Sequence, residues 1–229
     1  MKKDILIIAA HPDDDILGCG GFIAKYKNKV NIRIIFIAEG SSCRFPSLVE
    51  NSNAIQETIK KRNGYAKDAL KILGVNNIFF YNLPCGRLDS IPIIEINKII
   101  ENELNSFKPD VVMTHSENDT NNDHRIVYRS SLMATRPGAF KNLKTVMSYE
   151  VISSSEWNFS SAFIPNHFES LSLKQVNLKW NALMCFKSEI GEYPHPRSEI
   201  GIQTLAQYRG MQSGYKYAEA FKIIRNFKK

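Results

Sequence analysis

The 229 residues contain no stretch near the roughly 18 consecutive apolar residues that a membrane span needs. The longest such run near the N-terminus covers residues 5–10 and breaks at His11-Pro12-Asp13. Met1-Lys2-Lys3 supplies the basic start of a secretion signal, but the run behind it is too short and ends in acid, so a cytoplasmic chain without a targeting segment is expected. Cysteine is scarce: Cys19, Cys43, Cys85 and Cys185 lie 24, 42 and 100 residues apart with no C-x-x-C pair. That excludes a disulfide scaffold and predicts reduced thiols. Gly18-Cys19-Gly20-Gly21 fails as a dinucleotide fingerprint because Ile23 stands where the third glycine belongs, and neither a phosphate-binding G-x-x-x-x-G-K-[ST] nor a G-x-S-x-G elbow occurs. The 30 basic and 23 acidic residues leave +7. This excess is scattered Lys rather than a dense stripe with interleaved aromatics, so a nucleic-acid partner is not expected.

What remains is a chain that is 43% hydrophobic, enough for a sizeable core in a single domain over residues 1–229. Short β-branched runs at 5–10, 32–38, 78–81, 111–114 and 145–149 predict buried strands. Between them, apolar residues at helical spacing predict helices from 17 to 27, from 55 to 73 before Gly74, and after Ser90 as N-cap with Pro92 in the first turn. This alternation implies an α/β three-layer sandwich, a Rossmann-like, largely parallel sheet with helices on both faces. Past Tyr149 a polar, aromatic loop (153–168) and helical segments at 173–184, 198–209 and 216–225 predict a helical C-terminal cover.

In open parallel sheets ligands sit beyond the carboxyl ends of the strands. Two polar clusters lie there. His11-Pro12-Asp13-Asp14-Asp15 follows the first strand: its aspartates either cap the following helix or, three in a row beside an imidazole, require a cation. His115, Glu117, Asp119, Asn121, Asn122, Asp123, His124 and Arg125 follow the fourth. His11, Asp14 and His124 can therefore meet as two imidazoles and one carboxylate, the donor set of catalytic zinc.

The turn at His11 to Asp14, the Gly-rich helix start and Asp123-His124 resemble the PIG-L (LmbE-like) family of zinc-dependent N-deacetylases. Arg62 with Leu73-Gly74, residues 83–89 and 110–125, and Pro194-His195-Pro196-Arg197-Ser198 extend the resemblance over nearly the whole chain. It implies Zn2+ held by His11, Asp14 and His124, with Fe2+ fitting the same ligands, and Asp13 as general base. The implied substrate is a small N-acetylated amino sugar of the N-acetylglucosamine type; the basic balance of this chain fits a nucleotide- or phosphate-linked form. Two positions depart from the family pattern: Asp15 replaces a common Glu, and Asn121 a common His. An Asn can donate to an oxyanion but cannot act as an acid, so Asn121 or His115 is expected to support the oxyanion. Arg44, Arg62, His195 and Arg197 are the candidates for substrate contact. A homo-oligomer is compatible with all of this. The alternative is a nucleotide-sugar-binding transferase using the Asp run for Mg2+, against which the two histidines argue.

Overall fold

The computed structural model describes residues 2–227. Strands β1 (Asp4–Ala9), β2 (Asn31–Ala38), β3 (Asn77–Leu83), β4 (Val111–His115) and β5 (Thr145–Tyr149) pair in parallel. Helices α1 (Asp14–Tyr26), α2 (Ser52–Leu73), α3 (Ile93–Phe107) and α4 (Asn122–Ala134) connect them or follow them. Side chains alternate across a strand, and β1 shows the consequence. Ile5, Ile7 and Ala9 pack into one core with α1 and α2, while Leu6 and Ile8 pack into the other with α3 and α4. A sheet buried on both faces needs apolar residues at consecutive positions, which explains why these strands read as continuous runs. The result is the three-layer α/β sandwich the alternation predicts.

The C-terminal part departs from the expectation. The segment read as a third helix is strand β7 (Tyr217–Asn226), antiparallel to β5 and also to β6 (His167–Leu171), an unexpected strand that begins at the end of the segment expected to be loop. The sheet therefore has seven strands in the order β3-β2-β1-β4-β5-β7-β6. Ala218-Glu219-Ala220 favours a helix locally, but burial of Tyr217 to Phe221 against the sheet overrides that weak preference. Helices α5 (Leu173–Leu183) and α6 (Glu199–Ser213) do cover the α1 face as expected. Ser90 is not a helix cap. It sits in a short 3-10 turn, its hydroxyl donating to Arg87 O, and α3 starts behind Pro92.

Glu219 on β7 has an acceptor role that its helix-like context conceals. Its carboxylate accepts from Gly21 N and Phe22 N of α1 at 2.8 and 2.6 Å, while Lys179 Nζ of α5 donates to Glu219 Oε1 and to Leu17 O, both at 2.7 Å. Lys179 and Glu219 are both buried. Removing one member of such a pair leaves an uncompensated buried charge. Lys179→Met is therefore expected to lower stability by about 3–5 kcal/mol in urea unfolding. The double variant with Glu219→Gln should recover part of that loss.

The edge strand β6 is tied to α1 through Glu169, which meets Lys25 Nζ at 2.7 Å, Tyr26 OH at 3.0 Å and His167 Nε2 at 3.2 Å. Burial alone would raise this carboxyl; its three partners outweigh burial and hold it down at about 2. A depressed pKa stabilises above the unfolded value near 4.3 and loses that contribution as pH falls toward 2. Glu169→Gln should therefore cost about 1–3 kcal/mol at pH 7. The gap to the parent should narrow steadily below about pH 4.5 in pH-dependent unfolding.

Candidate metal centre

The turn between β1 and α1 separates its three carboxylates. Asp14 opens the helix, and its Oδ2 accepts from His11 N at 2.8 Å. Asp13 caps the helix at φ 127°, a backbone conformation that non-glycine residues adopt at a cost and that clusters at functional sites. It points its Oδ2 at two guanidinium groups, Arg62 at 2.9 Å and Arg197 at 3.0 Å. Asp15 is fully buried and neither of its side-chain oxygens has a hydrogen-bond partner among the described residues. Burial, with Asp13 and Asp14 alongside, pushes its carboxyl up to about 8. The mutual repulsion expected of three adjacent aspartates is thus relieved differently at each.

The second cluster reaches the same place from the end of β4. His124, in the first turn of α4, lies with Nε2 3.2 Å from Asp14 Oδ2, and His11 Nδ1 is 3.3 Å from the same oxygen. One donor atom from each of His11, Asp14 and His124 falls within 4.8 Å of the others. The three residues are 6, 1 and 2% exposed. Each imidazole is steadied by a carboxylate on its other nitrogen: Asp123 Oδ2 is 2.9 Å from His11 Nε2, and Asp119 Oδ1 is 3.1 Å from His124 Nδ1. Such outer partners set imidazole orientation and basicity in metal sites.

Those carboxylates are themselves anchored. Asp119 accepts from the hydroxyls of Ser154 and Ser155 and from Asn121 N; Asp123 accepts from Gly86 N at 2.6 Å and Leu88 N at 3.2 Å. Burial alone would raise Asp119, but the facing His124 imidazole and the hydrogen bonds from the two serines hold it at about 2. Burial would likewise lower both imidazoles. The facing carboxylates outweigh it, raising His11 to about 9 and His124 to about 10. Asp14 is held well below its usual range, where the pull of His124 and His11 overcomes burial. Two nitrogens and one oxygen converging in a buried pocket of excess negative charge fit a divalent cation, which would take the place of the imidazole protons. Among the described residues the group His11, Cys85 and Asp123 also meets the 4.8 Å distance, but Asp123 is already committed to His11 and to two backbone N–H groups.

The other expected site residues fall around this centre. Asn121 caps α4, its Oδ1 accepting from Asp123 N at 2.9 Å. His115 is fully buried with Nε2 accepting from Ala10 N at 2.8 Å, and its ring stacks on His124 with centroids 4.0 Å apart. Burial and the neighbouring His124 push it down to about 3, so it stays neutral. Its contacts are those of a ring supporting His124, not those of a donor open to substrate. Arg62 is buried and bound to Asp13 and to Glu189 Oε1, the latter at 2.6 Å. Gly40, at φ 73°, makes room for it: a Cβ there would lie 2.6 Å from Arg62 Nε. Arg197 meets Asp13, Glu189 Oε2 at 3.4 Å and Ser153 Oγ at 2.5 Å. Arg44, with 49% of its side chain exposed, also binds Glu189 Oε1, at 2.6 Å. His195 is exposed, and its Nδ1 accepts from Arg197 N at 3.1 Å; among the described residues it makes no hydrogen bond or ion pair with Asp13 or Glu189. Three of the four expected substrate contacts thus converge on Glu189, a residue the sequence did not single out.

A buried two-imidazole, one-carboxylate donor group at the strand ends of an α/β sheet, with a second carboxylate beside it, is the equipment of a metal-assisted hydrolase. Comparison with known proteins narrows this: residues 6–135 match the PIG-L family, described as GlcNAc-PI de-N-acetylase, and the chain belongs to that family of N-deacetylases. It is 32% identical to the uncharacterized deacetylase YaiS of Escherichia coli K12 over 82% of this chain and 92% of the relative. Diacetylchitobiose deacetylase of Thermococcus kodakarensis is 23% identical over 97% and 83%. The N,N′-diacetylchitobiose deacetylase structure from Pyrococcus horikoshii shares the fold, with a TM-score of 0.75 at 20% identity over 97% of this chain and 84% of that one. The transferase alternative finds no support in these matches. Among the described residues no helix is long and apolar enough to cross a membrane.

Proposed function

We propose that the chain is a zinc-dependent deacetylase that hydrolyses the N-acetyl amide of a small amino sugar of the N-acetylglucosamine type, releasing acetate and the free amine. The observation that carries this reading is the convergence of His11, Asp14 and His124 beside Asp13. The two imidazoles and one carboxylate favour Zn2+, with Fe2+ compatible. A divalent metal held there supplies an acidified water and a polarised amide carbonyl.

The protein's own residues do the rest. Arg62 and Arg197 both donate to Asp13 Oδ2, so neither guanidinium occupies Oδ1. That oxygen is the base that takes the proton from the attacking water. Burial raises the Asp13 carboxyl against the pull of Arg62 and Arg197, which makes it a better base than an exposed aspartate. Asn121 Nδ2, the half of the amide not used in capping, donates to the carbonyl oxygen as charge develops on it. Asp13 then returns its proton to the departing amine. Arg62 and Arg197 are positioning residues in this scheme, and Arg44 is the arginine with surface left to meet a phosphate or nucleotide on the sugar. We assign His195 to the loop that carries Arg197. The relatives named for diacetylchitobiose deacetylation support a sugar substrate. We place the reaction in the cytoplasm, whose reducing conditions suit a chain with four free cysteines.

The test is release of free amine from a panel comprising N-acetylglucosamine, its phosphate, a nucleotide-linked form and N,N′-diacetylchitobiose. Acetate and amine should appear in equal amounts from at least one of them. A zinc-loaded protein that releases amine from none contradicts the proposal.

A further inference from the structure

Two cysteines with no sequence signature between them meet beside the metal centre. Cys43 lies in the short turn Ser42–Arg44 after β2, and Cys85 in the loop after β3. Their sulfurs are 3.2 Å apart, with Cys43 exposed and Cys85 buried. The contact is built rather than incidental. Glu39, buried at the end of β2, accepts from Ser41 N at 2.5 Å and Ser42 N at 2.9 Å on the Cys43 side, and from Cys85 N at 2.8 Å on the other. One carboxylate thus clamps both cysteine-bearing loops. Gly86, at φ 69°, lets them approach, since a Cβ there would lie 3.0 Å from Cys43 Cβ.

We propose that Cys43 and Cys85 are a redox-modification site, converted by small-molecule disulfides into a reversible Cys43–Cys85 bridge that weakens the neighbouring metal centre. The exposed Cys43 thiolate attacks one sulfur of the small disulfide, whose S–S bond breaks to release one thiol. Cys85 then attacks the Cys43 sulfur of the mixed disulfide and releases the second. Two protein thiols are oxidised, one small disulfide is reduced to two thiols, and the two thiol protons end on the released thiols. The Cys43 thiol is suited to the first step: its hydrogen bond with Cys85, aided by the Arg44 guanidinium, lowers it against burial. Closing from 3.2 Å to the roughly 2.05 Å of a disulfide draws the Cys85 loop toward Cys43. The next residue, Gly86, donates its N–H to Asp123, which steadies His11. Displacing that donor loosens the imidazole. Disulfides in reducing compartments are characteristically of this transient, sensing kind.

The bridge itself does not depend on the metal reading; its effect on the donors does, so the two are measured separately. The zinc-loaded protein is treated with glutathione disulfide, then mapped by mass spectrometry, while zinc affinity is followed by competition with a chromogenic chelator. Loss of two of the four thiols in a Cys43–Cys85 cross-linked peptide is expected, with zinc affinity falling about 10-fold and recovering in dithiothreitol. Cys43→Ser and Cys43→Ala, at an exposed position, should resist both changes. Retention of all four thiols, a bridge at other cysteines, or an affinity loss equal in the Cys43 variants would overturn the proposal. A Cys43–Cys85 bridge with zinc affinity unchanged would overturn the coupling to His11.

Discussion

Replacing Asp13 by Asn is expected to lower kcat for deacetylation by about 10²- to 10⁴-fold while leaving the metal content unchanged. That is about 3–5 kcal/mol on the barrier. Asn keeps the size of the carboxylate and one oxygen for Arg62 and Arg197, but it cannot accept the water's proton. It also suits the backbone: φ at this position is 127°, which Asn tolerates better than most residues. Asp13→Ala would confound the experiment by adding strain. The lost charge leaves Arg62 paired with Glu189 alone, so thermal unfolding should be recorded alongside and should show a folded protein of reduced stability. Turnover within tenfold of the parent would remove Asp13 from the role of base.

The second large effect concerns the donors. His124→Ala and His11→Ala each delete one of three donors and should weaken divalent-metal binding by more than about 100-fold, beyond what loss of an outer partner causes. Asp119→Asn and Asp123→Asn remove only the carboxylates behind those imidazoles, and the expected loss is about 10- to 100-fold. Chelator competition gives the ranking. One tightly held equivalent in both histidine variants would defeat the donor assignment, and equal losses in all four would defeat the distinction between donors and their supports.

The sequence made the parallel part of the fold legible because a strand buried on both faces needs apolar residues at consecutive positions, as in residues 5–9 of β1, 34–38 of β2 and 111–113 of β4. It misled at the C-terminus, where the side chains that decide the structure are distant. Glu219 belongs to a strand because Lys179 and the N–H groups of α1 meet it there, a fact invisible in Ala218-Glu219-Ala220 itself. The start of α1 was read at residue 17, three residues late, because Asp14 and Asp15 interrupt the apolar periodicity although both are buried. At the site, His11, Asp14 and His124 were recognisable because their chemistry falls directly after strands. Asp119 and Asp123, four residues apart and both just before His124, offered a signal for the outer carboxylates in the same short segment. Glu189 offered none: it gathers Arg44, Arg62 and Arg197 only in three dimensions. The arginines were accordingly expected to face substrate, when two of them face Asp13. Cys43 and Cys85, 42 residues apart, meet only because Glu39 clamps their loops.

The most direct test of the account is to strip the purified protein with a chelator, restore Zn2+ stepwise, and measure acetate release from N,N′-diacetylchitobiose or from whichever N-acetyl sugar the panel identifies. The account predicts that stripped protein loses at least about 99% of its activity and that one equivalent of zinc restores it. His124→Ala should remain inactive at the same addition. Deacetylation that persists undiminished in the fully stripped protein would contradict the metal-dependent mechanism built on His11, Asp14 and His124.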